Sequence, residues 1–326
     1  MTLLTVFYIL AIVVIPFAFA SWFVLPSQPR KEQTDNANGA KPTVDWLGVL
    51  TLTLGLVLFV FTISSGSNGT SSSEWATPRI LVLLIISILL LIGFFFIERV
   101  VSQPAVPPRT WSNKNFLPLF FYAWSIYWWV FGVQIEIIQV FTDLWGMSAL
   151  EAALRCLPLG ISSGISAYLA GILAPHVPKK ILLVSGQVLM LVGAVLFALA
   201  DKLDKYWSHV VPGMIIGMIG LASSYVGCTI LMMEGAREGE EGVVGALMYT
   251  SYQVGATIGV AGMFSYFFSF RRRWCHTVIA SITLGVNART LSEVPSVLFK
   301  GYQASYWSLV GLNAIMILLA AIFVHN

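Results

Sequence analysis

Gly242–Ala261 reads GVVGALMYTSYQVGATIGVA, twenty residues without a charge. Small residues recur at Gly245, Gly255, Ala256 and Gly259, with Thr250, Ser251 and Gln253 among them. A run this apolar enters a bilayer only as a helix, because lipid offers a backbone amide no other partner. Small side chains on one face let a second helix come close. The stretch therefore reads as a tightly packed span of the kind that gates or lines a pathway. Its continuation is odd: the run ends in Arg271-Arg272-Arg273-Trp274, where a span should be finishing quietly.

The rest of the chain agrees with an all-α polytopic membrane protein. Hydrophobic residues make up 57% and charged residues 10% of the 326 positions, where a soluble domain carries about a quarter charged. A membrane barrel is disfavoured, since the apolar runs are continuous and lack two-residue alternation. The net charge of +3 is too small, and its basic residues too scattered, to argue for nucleic acid. Cys156, Cys228 and Cys275 lie far apart without metal-ligand spacing and read as packing residues. The first apolar run lacks a basic leader and a small-residue cleavage site, so it reads as a span and not a signal peptide.

Nine spans are expected, near Leu3–Leu25, Trp46–Ser64, Ile80–Ile97, Phe116–Phe141, Leu150–Leu173, Ile181–Ala200, Val210–Met233, Val243–Phe268 and Ser305–Val324. Lys and Arg in the connections orient them. With the first span running towards the cytosol, that side receives Arg30, Lys31, Lys41, Arg99, Arg109, Lys114, Lys179, Lys180 and Arg237. The other side receives Arg79, Lys202, Lys205, Arg289 and Lys300, and the bias is clear only with the Arg triplet set aside. The sequon Asn68-Gly69-Thr70 then falls outside, in mild agreement. An odd span count and a first Met almost inside the lipid suggest a piece of something longer.

Glu136 is the one acid deep within a span, in Gln134-Ile-Glu-Ile-Ile-Gln139. A carboxyl there should face a wet cavity, find a partner or hold a proton, and in the last case it could couple proton movement to transport. A Glu near the outer end of its helix, reaching water, is the plainer account. The same span carries Tyr122, Trp124, Tyr127, Trp128 and Trp129. Trp128 and Trp129 lie about 20 Å along the helix, past the midplane, where an interfacial belt fits poorly. They either line a pocket for flat apolar molecules or simply pack. Glu151 and Arg155, four residues apart, are expected to pair. No phosphate-binding loop, nucleophile–base pair or metal-ligand cluster appears, so neither ATP-driven transport, catalysis nor a cofactor is expected.

Certain stretches resemble the C-terminal part of fungal major facilitator superfamily transporters, in the fourteen-span drug:proton antiporter group. They are Asp45-Trp-Leu-Gly48, Ser148…Leu-Arg155…Leu-Pro158, Gly171-Ile-Leu-Ala-Pro…Lys-Lys180 and Gly245-Ala-Leu-Met-Tyr-Thr…Gln253-Val-Gly255. Tyr249 stands where that family often has Asn, and an Asp is missing from the loop at Pro175. The resemblance implies that residues 1–25 are family span six and 26–45 a cytosolic loop. Residues 46–98 are then two linker spans, 99–115 a second cytosolic loop, and 116–326 the C-terminal six-helix half.

It also implies a multi-pass protein of the plasma membrane or the vacuolar membrane, with the bilayer, protons and a small molecule as partners. Proton-coupled export of amphiphilic compounds is the activity implied. Nutrient or siderophore uptake by the same fold, and a non-functional truncated fragment, are the alternatives. Gln134, Glu136, Gln139, Tyr127, Trp128, Tyr249 and Gln253 are the expected substrate residues, and Glu136 the proton-coupling group. Joining Ala261 to Val278 gives GVAVIASITLGVNA, a continuous span. Residues 262–277 are thus expected to be a retained intron, whose ends permit a fungal-type donor at Gly-Met-Phe and an in-frame acceptor at Thr-Val; a genuine basic loop on the outer surface is the alternative.

Overall fold

A computed structural model describes residues 3–24, 45–67, 77–101, 104–237, 239–283 and 294–324. Some side chains of α1, that of Ser67, and those of residues 263–283 and 294–298 are outside it. The described residues form helices and no strand. The sequon, most of the Pro26–Asp45 connection and the side chains of the Arg triplet and Cys275 lie outside the described residues.

The chain divides into two units, residues 1–43 and 44–326. The first is α1, Leu3–Val24, apolar along its length with Pro16 inside the helix. Its described large side chains are exposed, Phe17 at 75% and Phe23 at 73%, as for a helix meant to meet lipid or other protein.

The second unit opens with α2, Trp46–Ser67, packed against α3, Pro78–Val100. A short α4, Pro108–Trp111, comes next. The central helix α5 covers Phe116–Gln139 and ends in a π-helical turn, Val140–Leu144. One expected span is broken in two, α6 at Ala149–Arg155 and α7 at Leu157–Leu173. Pro158 sits in the first turn of α7, where its missing N–H costs least. Then come α8, Lys179–Ala198, and α9, Val211–Glu234. The last two are α10, Glu241–Thr283, and α11, Val294–Phe323.

The nine expected stretches fall on helices over their described residues, apart from the turn at Cys156 and the ends at Leu199–Ala200 and Val324. Among the described residues seven helices are long and apolar enough to cross a membrane. Helix α10 departs most from expectation. It runs 43 residues without a break, about 65 Å at 1.5 Å per residue, against roughly 30 Å of hydrocarbon.

Glycine lets the helices of this unit touch. In α8 and α9, Gly186 faces the Gly220 carbonyl and Ser224, and Gly193 faces the Gly213 carbonyl at 3.0 Å from where a Cβ would sit. Lipid gives no hydrophobic push between spans, so such close backbone approach supplies the packing energy instead. The expected Glu151–Arg155 pair does not form. Glu151 is drawn back to Ser148, completing a capping box at the start of α6. Arg155 lies 4.9 Å above the Tyr206 ring, and the Tyr206 hydroxyl donates to the Arg155 carbonyl at 2.9 Å.

Candidate functional site

Helix α5 sets the site, because its faces do different work. Tyr122, Ser125 and Trp129 point into the bundle. The Tyr122 hydroxyl donates to the Leu183 carbonyl at 2.8 Å, Gln187 Nε2 donates to Ser125 Oγ at 2.6 Å, and the Trp129 indole donates to the Met190 carbonyl at 3.0 Å. All three bonds tie α5 to α8. In lipid such bonds between helices hold because the alternative is an unpaired polar group in hydrocarbon.

A second face carries Phe120, Trp124 and Trp128 at four-residue spacing, a ridge along the helix. It meets the small residues of α10 in matching steps. Ser251 Oγ donates to the Phe120 carbonyl. A Cβ at Gly255 would strike the backbone of Trp124, and one at Gly259 would strike Trp128. The glycine face of Gly242–Ala261 therefore does admit a second helix closely, and α5 is that helix.

The third face, Tyr127, Phe131, Gln134 and Ile138, opens outward, with Phe131 37% and Ile138 41% exposed and Gln134 exposed beside them. At its buried end four tyrosines from three helices gather. Tyr252 of α10 stacks on Tyr127 of α5 at 4.7 Å and 17° and on Tyr225 of α9 at 5.3 Å and 28°. Tyr249, one turn back on α10, meets the Tyr252 ring edge-on at 6.1 Å. Hydroxyls link Tyr225 to Tyr249 and Thr229 to Tyr252, each at 3.4 Å. Tyr252 is fully buried while Tyr249 is 52% exposed, so the cluster has a sealed back and an open front. Within two turns of these tyrosines, none of the three helices carries an Asp, Glu, Lys or Arg. The cluster offers negative π faces and phenol oxygens, which suit flat or cationic molecules.

The expected site residues separate between these faces. Tyr127 and Tyr249 come together in the cluster. Gln253 is exposed on the same stripe of α10 as Tyr249, and Gln134 lies on the open face of α5 two turns beyond Tyr127. Trp128 is half-buried against Gly259. Gln134 and Glu136 are two residues apart, about 200° around the helix, and point nearly opposite ways. Glu136 is 4% exposed, and neither of its oxygens has a hydrogen bond of normal geometry. Its polar neighbours are Ser305 and Tyr306 of α11. Gln139, half-buried, leans to the same side as Glu136. Tyr225 and Tyr252 were not anticipated. The one local signal for them is the Tyr249–Tyr252 spacing of three, which puts two phenols on one flank of α10.

A separate cavity of about 620 Å³ lies between α2 and α3 on one side and α5 and α10 on the other. Phe94, Phe120, Phe121 and Trp124 line it, with Glu98 and Arg99 at one end. Neither Glu136 nor any of the four tyrosines borders it.

Long apolar helices, buried polar links and glycine contacts define an integral, multi-pass α-helical membrane protein. The chain belongs to the Major Facilitator Superfamily, whose family model matches residues 3–260. It is 25% identical to the low affinity ammonium transporter of Saccharomyces cerevisiae over 320 residues, covering 97% of this chain and 56% of that protein. It is 26% identical to the multidrug transporter mfsC of Aspergillus fumigatus over 280 residues, covering 82% and 48%. With the multidrug resistance protein fnx1 of Schizosaccharomyces pombe it shares 23% over 257 residues, 76% and 47%. The chain spans about half the length of these curated relatives.

Proposed function

We propose that this chain forms part of a secondary transporter that exports small amphiphilic compounds in exchange for protons. The observation that carries this reading is the tyrosine cluster, sealed behind Tyr252 and open at Tyr249. Its stacked phenols hold a flat or cationic molecule by face contact, and Gln134 and Gln253 offer amide hydrogen bonds beside it. Glu136 is assigned the proton, because a carboxyl buried in a span with only Ser305 and Tyr306 as polar neighbours changes charge only at a structural cost that α11 must absorb. The names of two relatives, one a multidrug transporter and one a multidrug resistance protein, support export. That of the ammonium transporter supports a cationic substrate.

Vesicles loaded with a fluorescent aromatic cation and given an imposed pH gradient test the reading. The assay uses this chain alone and within any longer reading frame that the genome shows around it. Efflux driven by inward proton movement is expected, and inward accumulation identifies uptake instead. Efflux that Glu136→Gln leaves unchanged removes the coupling role.

A second reading rests on its own observation, the length of α10. Residues 262–277 add about 24 Å of helix to a span already long enough at Ala261. The polypeptide as written then transports nothing, and the working span joins Ala261 to Val278. Sequencing the transcript decides it: a dominant message that keeps the segment ends this reading.

A further inference from the structure

Where α2 begins and α3 ends, two acids lie that the transport reading does not use. Asp45 precedes α2, and its Oδ1 accepts the Gly48 N–H at 2.8 Å as a helix cap does. Its other oxygen, Oδ2, is buried without a hydrogen-bond partner, and the residue is 9% exposed. Glu98, in the last turn of α3, is 4% exposed, and both its oxygens receive the Val106 N–H at 3.2 Å. A Cβ at Gly48 would collide with Asp45 Oδ2 and lie 3.1 Å from Glu98 Oε1. The two carboxyls therefore face each other across the space the glycine leaves. Their oxygens are no more than about 6 Å apart, within the range where like charges control each other's protonation.

Among the described residues, no charge neutralises the pair. Arg99 of α3 is exposed at the mouth of the 620 Å³ cavity that Glu98 also lines. Arg109 of α4 is held by Glu240, at 2.7 and 2.8 Å, just before α10. Among the described residues neither Asp45 nor Glu98 is in an ion pair. A metal ion suits the site poorly. Two acids supply few of the oxygens a hard cation wants, and the Val106 N–H presents the wrong end of a dipole. A proton suits it: it turns one acceptor into a donor, and it removes the repulsion.

We propose that Asp45 and Glu98 share one proton, a protonation site at the end of the linker spans expected to be cytosolic. It is separate from Glu136, which lies about 30 Å along α5 from Phe116. The pair also has a mechanical reach. Glu98 holds Val106, the chain continues into α4, and Arg109 and Thr110 both bind Glu240. Release of the proton places a second negative charge at the head of this polar chain, which ends on α10.

Infrared spectroscopy of the full chain in lipid vesicles tests this, in a Glu136→Gln background that removes the buried carboxyl of α5. Among the described buried acids outside the pair, that leaves only Glu240, which Arg109 holds as an ion pair. A protonated-carboxyl band persisting at neutral pH is expected, and its loss both in Asp45→Asn and in Glu98→Gln, since removing either acid frees the other to ionise. No band in the parent, or loss in only one variant or neither, overturns the proposal. Should the variants not accumulate, carbon-13 labelling of aspartate alone and of glutamate alone serves in the unmutated pair. A band moved by both labels is expected, and a band moved by only one overturns the sharing.

Discussion

Trp129 gives its indole N–H to the Met190 carbonyl, and Tyr122, seven residues earlier, gives its hydroxyl to Leu183 at the same offset of 61 residues. Helices α5 and α8 therefore run parallel in constant register over two turns. The indole tip occupies the gap between α8 and α9 that Gly193 and Gly217 leave open. Trp129→Phe drops the donor and empties the part of the gap that the indole tip fills, so it is expected to cost about 2–4 kcal/mol. Gly217→Ala places a methyl inside the indole and is expected to cost about 1–3 kcal/mol. Unfolding in detergent with increasing denaturant measures both.

The two glycines of α10 that meet α5 differ in what blocks them. The obstacle at Gly255 is the Trp124 backbone, whereas at Gly259 the two nearest atoms belong to the Trp128 indole, with the Trp128 Cα next at 2.8 Å. Both alanine variants are expected to destabilise, Gly255→Ala more. Trp128→Ala is expected to recover part of the Gly259→Ala loss, while Trp124→Ala recovers none of the Gly255→Ala loss. A double-mutant cycle in thermal stability reads the difference directly.

Tyr252→Leu removes the ring against which Tyr127 and Tyr225 stack. Each aromatic pair is worth about 0.5–1.5 kcal/mol beyond its area, so this variant should lose stability as well as ligand affinity. Tyr249→Leu removes the open front, one edge-on ring pair and the hydroxyl link to Tyr225. It is expected to weaken binding of an aromatic cation about 2–5-fold, the range of an exposed cation–π contact, with the melting midpoint moved less than in Tyr252→Leu. Fluorescence titration beside a thermal melt separates the two roles.

Between α8 and α9, outside the spans, Lys205 sits 2.6 Å from Asp201 and holds that carboxyl below the usual aspartate range. A lowered carboxyl stabilises the fold above its ordinary pKa and loses that contribution as pH falls through the folded one. The pair is exposed, and such pairs contribute little. Asp201→Asn is therefore expected to leave the melting midpoint at neutral pH almost unmoved. Its melting curve should converge with that of the parent only in strong acid, and differential scanning calorimetry across pH checks both points.

The helices were legible because unbroken apolar runs leave lipid no other way to satisfy the backbone. The close-packing face of Gly242–Ala261 was legible for a related reason: glycines at four-residue spacing have little use except proximity. The partner was not legible, since nothing local to α10 points to Phe120, Trp124 and Trp128 more than a hundred residues earlier. The tyrosine cluster was half visible. Tyr127 and Tyr249 stood out as polar aromatics in spans, but Tyr225 and Tyr252 join them only through the packing of α9 and α10. The opposed directions of Gln134 and Glu136 were written in the sequence all along, in a separation of two residues on a helix of 3.6 per turn. The Glu151–Arg155 expectation failed because a helix start offers Glu151 a nearer donor than a side chain one turn on.

The contrast between Gly255 and Gly259 bears on how sequences of this kind can drift. Position 259 and position 128 form a partly tradeable pair, in which bulk gained on one helix is met in part by bulk given up on the other, the Trp128 Cα remaining in place. Position 255 has no such partner, because no side-chain change on α5 moves a main chain. Among homologues, the first pair should vary together, and Gly255 should stay fixed while every residue around it changes.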